Sequence, residues 1–251
     1  GAGAFATFVA GCVTKEIAAT TPVLLWLIEW IAVHRSDLRA ALRTLRGRLF
    51  PFFAVPASLL VLRVTAYGYL ASPTFIRSPL VNLTTQVEVL AQYLRLWLVP
   101  FPQSIYHDHP VVSSVGPTTL FAAALLGALL VGAVLARRSA PALALGLLVA
   151  AVAIAPTSSV FALKETMVEH RTYLPSIGLC LATAWLFAGP LWSLAVRLGR
   201  KRPLLHAAAP LLLVCAGLAV EHRAYQERWR SEEVLWRTAL SVNPRSADSW
   251  R

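Results

Sequence analysis

The sequence predicts an all-α, polytopic helical membrane protein, and three observations carry that prediction. Of its 251 residues, 57% are hydrophobic and only 14% charged, with a mean hydropathy of +0.62, against roughly 45–50% apolar and about 25% charged in soluble domains. The apolar residues fall into runs of about 20, the length a helix needs to cross a hydrocarbon core of about 30 Å. Between the runs, Lys and Arg gather at every second boundary, the asymmetry that orients membrane helices. A soluble single domain is excluded. The three cysteines, Cys12, Cys180 and Cys215, all lie in apolar runs, where a thiol serves as a small hydrophobe, so neither a disulfide framework nor a zinc finger is implied.

In chain order, residues 1 to 13 read as the end of a truncated span, followed by spans over 17–33, 49–70, 117–136, 141–163, 172–194 and 203–220. Gly1 stands in an apolar stretch with no initiator Met or charged leader before it, and Arg251 falls inside a helical pattern, as expected of an internal piece of a longer chain. One further run, 84–100, is short, carries Glu88 and Arg95, and is flanked by Pro79, Pro100 and Pro102. It reads as an amphipathic helix at the membrane interface. That reading keeps the three basic clusters, Arg35 to Arg48, Arg137–Arg138 and Arg197 to Arg202, on one side. A true span at 84–100 would separate the first two.

Four segments then share the outer face: Thr14-Lys15-Glu16, the loop 71–116, the connection 164–171, and everything after Val220. The loop 71–116 is too long for a simple connector and is a candidate functional element. Beyond Val220 the character changes. From Trp229 to Trp250, apolar residues recur at helical spacing, then Ala239-Leu240 precedes Asn243-Pro244, and Ala247 and Trp250 open another helix. This is the pattern of a tetratricopeptide repeat, and one repeat cannot bury its own apolar face. The chain therefore divides into a transmembrane domain, 1–220, and the start of a repeat domain, 221–251.

Three polar groups could carry chemistry on the outer face. Lys15 and Glu16 sit between apolar runs, either paired with each other or with Lys15 facing a cavity to hold an anion. In Tyr106-His107-Asp108-His109, alternate residues of an extended strand share a face. No further His or Cys lies at ligand spacing, so acid, base or hydroxyl-binding roles for Asp108 and a His fit better than a metal. Arg171, with Glu169 two residues before it, could grip a phosphate with its planar fork of donors; Arg77 is a candidate of the same kind.

Gly11-Cys-Val-Thr14-Lys15-Glu16, Thr85-Gln86, Tyr93-Leu94, Pro100, Asp108, Pro156-Thr-Ser-Ser159, Glu169-His-Arg171-Thr-Tyr173-Leu-Pro175-Ser-Ile-Gly178 and the segment from Trp229 to Pro244 occur in an order that resembles the transmembrane and tetratricopeptide-repeat O-mannosyltransferases and their bacterial relatives. The resemblance implies a GT-C glycosyltransferase fold. It also implies an enzyme that moves a mannose-like sugar from a polyprenyl-phosphate donor to a protein or other hydroxyl acceptor on the outer or lumenal face. Lys15, Arg171 and Arg77 are then expected to bind the donor phosphate, with Asp108 and His107 on sugar or acceptor. Glu169 is expected to orient Arg171, with Glu16 and Tyr173 in support. No metal or cofactor is implied. The catalytic carboxylate of GT-C enzymes lies in a first outer loop that this sequence lacks, so the piece alone is expected to be inactive. The expected partners are the polyprenyl-phosphate sugar, membrane lipids and a protein acceptor presented by the repeats. The Ala, Leu and Arg bias suits a bacterial inner membrane with the repeats in the periplasm.

A membrane-anchored repeat scaffold without chemistry is the alternative, but a scaffold needs no convergence of polar groups on one face. A transporter predicts ionisable residues near mid-span, and Glu29 and Arg63 both lie toward span ends. The net charge of +11 has a simple origin. The three basic clusters hold eleven of the 23 Lys and Arg with Asp37 as their only acid, which leaves the rest of the chain nearly balanced. The excess is a signal of membrane topology and gives no support to nucleic-acid binding.

Overall fold

A computed structural model describes residues 2–67, 77–104, 107, 109–158 and 162–242, with Glu16, Arg63 and Tyr67 described by backbone alone. Among these residues are ten α-helices: α1 (Ala2–Thr14), α2 (Thr21–Ile28), α3 (Leu38–Thr44), α4 (Phe50–Tyr67), α5 (Pro79–Leu98), α6 (Pro117–Ala136), α7 (Pro141–Ile154), α8 (Tyr173–Arg197), α9 (Pro203–Gln226) and α10 (Glu232–Val242). The described residues contain no strand, only an isolated antiparallel bridge between His107 and Met167. The all-α prediction holds.

Local chemistry sets the helix ends. Proline lies in the first turn of α2, α5, α6, α7 and α9, where its missing N–H leaves no hydrogen bond unmade. Asp37 caps α3 by accepting from the N–H groups of Arg39 and Ala40 at 2.9 and 3.2 Å. Helix α8 stops at Gly199, whose φ of +62° suits glycine; its N–H and that of Arg200 bond the carbonyls of Val196 and Ala195, each at 3.0 Å.

Four helices are long and apolar enough to cross a membrane, Leu38–Ala66, Pro117–Ala136, Glu169–Arg197 and Pro203–Trp229, beside the shorter apolar helices Ala2–Thr14, Ile17–Val33 and Pro141–Ile154. The chain is an integral, multi-pass membrane protein. Its large apolar side chains point outward, as at Leu120, Phe121, Leu135, Leu212 and Leu213, while small residues fill the contacts between helices. That inversion of the soluble pattern is expected where lipid replaces water and close backbone packing holds helices together.

Helix α7 is central, packing on α2, α6 and α8. It runs antiparallel to α8, with Gly146 against Gly178 and Ala182, and Gly178 against Gly146 and Ala150. A Cβ on Gly146 would lie 2.5 Å from the Gly178 carbonyl oxygen, so these backbones touch. Ser36 Oγ donates to the Arg137 carbonyl at 3.3 Å. That bond joins the first two basic clusters at one end, and the antiparallel course of α8 brings Arg197 to Arg202 toward it.

Several boundaries differ from expectation: the spans read over 172–194 and 203–220 run on to Arg197 and Gln226, and three others shift as well. The span read over 141–163 stops at Ile154, because Pro156 interrupts the helix and the N–H groups of Thr157 and Ser158 turn back to the Ile154 carbonyl. The interfacial helix read over 84–100 runs from Pro79 to Leu98. Ser78 starts it early by accepting from Val81 N–H at 3.4 Å, with Pro79 in the first position. The span read over 49–70 begins inside the basic cluster, since α3 continues through a π-helical turn at Leu45–Leu49 into α4.

Candidate functional site

Helix α5 organises the end of the bundle away from the basic clusters. Asn82, Thr85, Gln86, Val89 and Tyr93 are buried, a helical stripe that is mostly polar and therefore must find partners. The partners are two extended segments. Thr84 Oγ1 donates to the Val112 carbonyl at 2.7 Å, and Thr85 Oγ1 accepts from Val112 N–H at 3.0 Å. Gln86 Nε2 donates to the Thr166 carbonyl at 3.0 Å. The Tyr93 hydroxyl donates to the Val168 carbonyl at 2.8 Å and accepts from Val168 N–H at 2.9 Å. Thr166 Oγ1 then donates to the His109 carbonyl at 3.0 Å. A small apolar cluster of Val89, Tyr93, Ile154 and Met167 seals the arrangement. Burial pushes the Tyr93 hydroxyl above its ordinary ionisation range.

This frame brings two charged groupings together. One is His107 with Glu169: His107 Nε2 lies 2.6 Å from Glu169 Oε1, which also accepts from Ser104 N–H at 2.8 Å. The other is a pair of buried arginines. Arg77 donates from Nε to Asn82 Oδ1 at 3.2 Å and from NH2 to the Leu163 carbonyl at 2.6 Å. Arg171 donates to the Glu165 carbonyl from both terminal nitrogens at 3.2 Å, and from NH2 to Glu165 Oε2 at 3.4 Å. Burial, and then repulsion from Arg171, lower the proton affinity of the Arg77 guanidinium. The two guanidinium groups thus share one carboxylate contact, at Glu165, and their other acceptors are neutral oxygens.

The expected residues divide accordingly. His107, Glu169, Arg171 and Arg77 come together on this frame, whereas Asp108 lies outside the described residues. The carboxylate on Arg171 belongs to Glu165, correcting the expectation that Glu169 orients it: Glu169 is turned to Ser104 and His107 instead. Lys15 is exposed, and among the described residues no hydrogen bond or ion pair links it to the cluster. Of Glu16 only the backbone is described. Tyr173 is 83% exposed. Glu165, Asn82 and Ser104 were not anticipated. For Asn82 the available signal was the polar stripe at helical spacing on α5; for Ser104, whose backbone N–H is the contributing group, there was none.

The C-terminal part of α9 returns to the same end. Arg228, in the 3₁₀ turn Glu227–Trp229, donates to the Gln103 carbonyl at 3.3 Å and lies 5.1 Å over the Tyr225 ring. Gln103, Ser104, Tyr225, Arg228, Leu235, Thr238 and Ala239 line a notch where α10 meets the loop, directly beside the residue that supports Glu169. The expected repeat signature from Asn243 onward lies outside the described residues.

No family model matches this sequence, and no solved structure matches it. Over 168 residues, 61% of the chain, it is 31% identical to mouse protein O-mannosyl-transferase TMTC4, covering 22% of that protein. Over 81 residues, 32% of the chain, it is 40% identical to Drosophila melanogaster protein O-mannosyl-transferase Tmtc1, covering 9% of it. The chain thus spans less than a quarter of the length of these curated relatives, and what it shares with the TMTC protein O-mannosyl-transferases is a partial sequence likeness carried on a multi-pass helical membrane fold.

Proposed function

We propose that this chain forms part of a membrane glycosyltransferase that moves a mannose-like sugar from a polyprenyl-phosphate donor to a protein hydroxyl on the outer face. The observation that carries the reading is the paired, buried Arg77 and Arg171 next to the His107–Glu169 pair, and the likeness to O-mannosyl-transferases supports it. In the reaction the acceptor oxygen bonds to the anomeric carbon while the bond from that carbon to the phosphate oxygen breaks. The electron pair leaves on the phosphate, where Arg171, Arg77 and Lys15 neutralise it. The acceptor proton passes to a carboxylate supplied by another part of the enzyme, while Asp108 and His107, the latter held by Glu169, contact the sugar or acceptor. No metal or cofactor takes part in this scheme. Helix α10 opens a repeat domain that presents the acceptor, a role consistent with the exposed apolar Val234 and Trp236 on it.

Arg171→Ala in the full-length enzyme tests the assignment. Losing charge-assisted hydrogen bonds worth about 1.5–3 kcal/mol should raise the donor concentration needed for half-maximal transfer by roughly tenfold to a hundredfold. Unchanged transfer at limiting donor sinks the role of Arg171.

A further inference from the structure

At the end of the bundle opposite the site, the first two basic clusters alone supply seven arginines: Arg35, Arg39, Arg43, Arg46, Arg48, Arg137 and Arg138. Two acids stand among them, and both are already engaged. Glu29 Oε2 lies 3.4 Å from His34 Nε2, and Asp37 caps α3. Among the described residues none of the seven arginines has an ion-pair partner.

The junction that gathers them is built. Arg35 and Ser36 both hold left-handed φ values of 46° and 68°, conformations that cost non-glycine residues energy and persist only where the surroundings enforce them. Here the enforcement is visible: Ser36 is buried, its N–H bonds the Trp30 carbonyl at 2.7 Å, and its hydroxyl bonds the Arg137 carbonyl. The Arg137 guanidinium lies 5.5 Å over the Trp30 ring, which stacks on Trp26 at 5.3 Å. On the neighbouring helix Arg39, Arg43 and Arg46 recur at one-turn spacing and are exposed. Beside that stripe Leu38 and Leu42 are 47% and 37% exposed, at the start of the apolar stretch Leu38–Ala66.

Whatever covers this surface must offer anions at the level where hydrocarbon begins. A soluble polyanion satisfies the arginines and leaves the leucines in water; an anionic bilayer surface satisfies both. We propose that this end binds anionic phospholipid headgroups, whose phosphates are taken by the Arg39–Arg43–Arg46 stripe and by Arg137 on its Trp30 platform. The proposal is independent of the sugar-transfer reading.

The test uses the full-length protein in phosphatidylcholine vesicles doped with spin-labelled phosphatidylglycerol or spin-labelled phosphatidylcholine. A several-fold preference for the anionic lipid is expected, up to roughly fivefold for each arginine that meets a headgroup, and it should shrink as salt is raised. Replacing Arg39, Arg43 and Arg46 together by Gln should bring the preference toward one. Arg230→Gln with Arg237→Gln, at the other end, should leave it unchanged. Equal association of the two lipids with the unmodified protein overturns the proposal without reliance on any variant, and so does equal loss in the two variants. Displacement of the lipid by inorganic phosphate beyond that by chloride at equal ionic strength would identify a free phosphate ligand instead, and likewise overturns it.

Discussion

Removing one oxygen atom, by Tyr93→Phe, separates the frame from the site it supports. The Tyr93 hydroxyl bonds both main-chain groups of Val168, whose carbonyl also accepts from Arg171 N–H at 3.3 Å, and Val168 is only 4% exposed. Phenylalanine fills the same space, so the change makes little cavity and isolates the hydrogen bonds. The Val168 carbonyl keeps its bond from Arg171 N–H, so the cost falls on the Val168 N–H, at about 1–3 kcal/mol for a buried polar group deprived of its partner. The loss falls on the segment just before Glu169 and Arg171, so amide exchange of residues 165–171 should accelerate by roughly fivefold to a hundredfold while the exchange of α6 stays unchanged. A second signature follows from ionisation. Tyrosine in the unfolded chain titrates near 10.0, and burial raises the folded value. Below pH 10 both states are protonated and the stabilisation is fully present. As pH rises past 10 and through the folded value, the unfolded state has already released its proton and stability falls. Exchange measured on the full-length protein in nanodiscs, combined with unfolding scans at neutral and alkaline pH, reads both effects. Equal protection at 165–171 in the two proteins, or an identical alkaline limb, would refute the idea that Tyr93 holds this segment.

Two other perturbations test the helix contact and the site. Gly178→Ala places a Cβ about 2.6 Å from the Ala150 amide nitrogen, which should push α7 and α8 apart at a cost of roughly 1–3 kcal/mol; Gly127→Ala on α6, with nothing within 4 Å, should be neutral or slightly stabilising, and equal thermal shifts in detergent would count against the close contact. Glu169→Ala removes the acceptor shared by Ser104 N–H and His107, and should lower the transfer rate at saturating donor. Arg171→Ala, by contrast, should act mainly at limiting donor, and the same kinetic pattern in both variants would contradict the division between acceptor positioning and phosphate binding.

The spans were legible because hydrophobic length is a one-dimensional property. The apolar run at 117–136 could be placed from sequence to the residue, and the start of the run at 203 was marked by its proline. The end of α7 was not, because the apolar residues continue past Pro156 although the hydrogen bonding stops there. The site was half legible. Arg171, His107 and Glu169 stood out as charged residues between apolar runs, but their pairing could not be read from spacing. Glu169 lies two residues from Arg171 along the chain, yet in a 3₁₀ turn successive side chains diverge, and Glu169 turns instead to Ser104, 65 positions away.

The sequence alone determined that this is a multi-pass helical membrane protein and which polar segments gather away from its basic end. Both follow from the cost of placing charge and unpaired backbone in hydrocarbon, a cost that every residue carries wherever its neighbours lie. Only the tertiary structure decided that α5 turns a polar face inward, that Glu165 holds Arg171, and that Arg77 stands beside it. Those choices depend on which carbonyls and amides the folded loops bring within hydrogen-bonding distance, and the contacts that settle them join residues 5 to 86 positions apart.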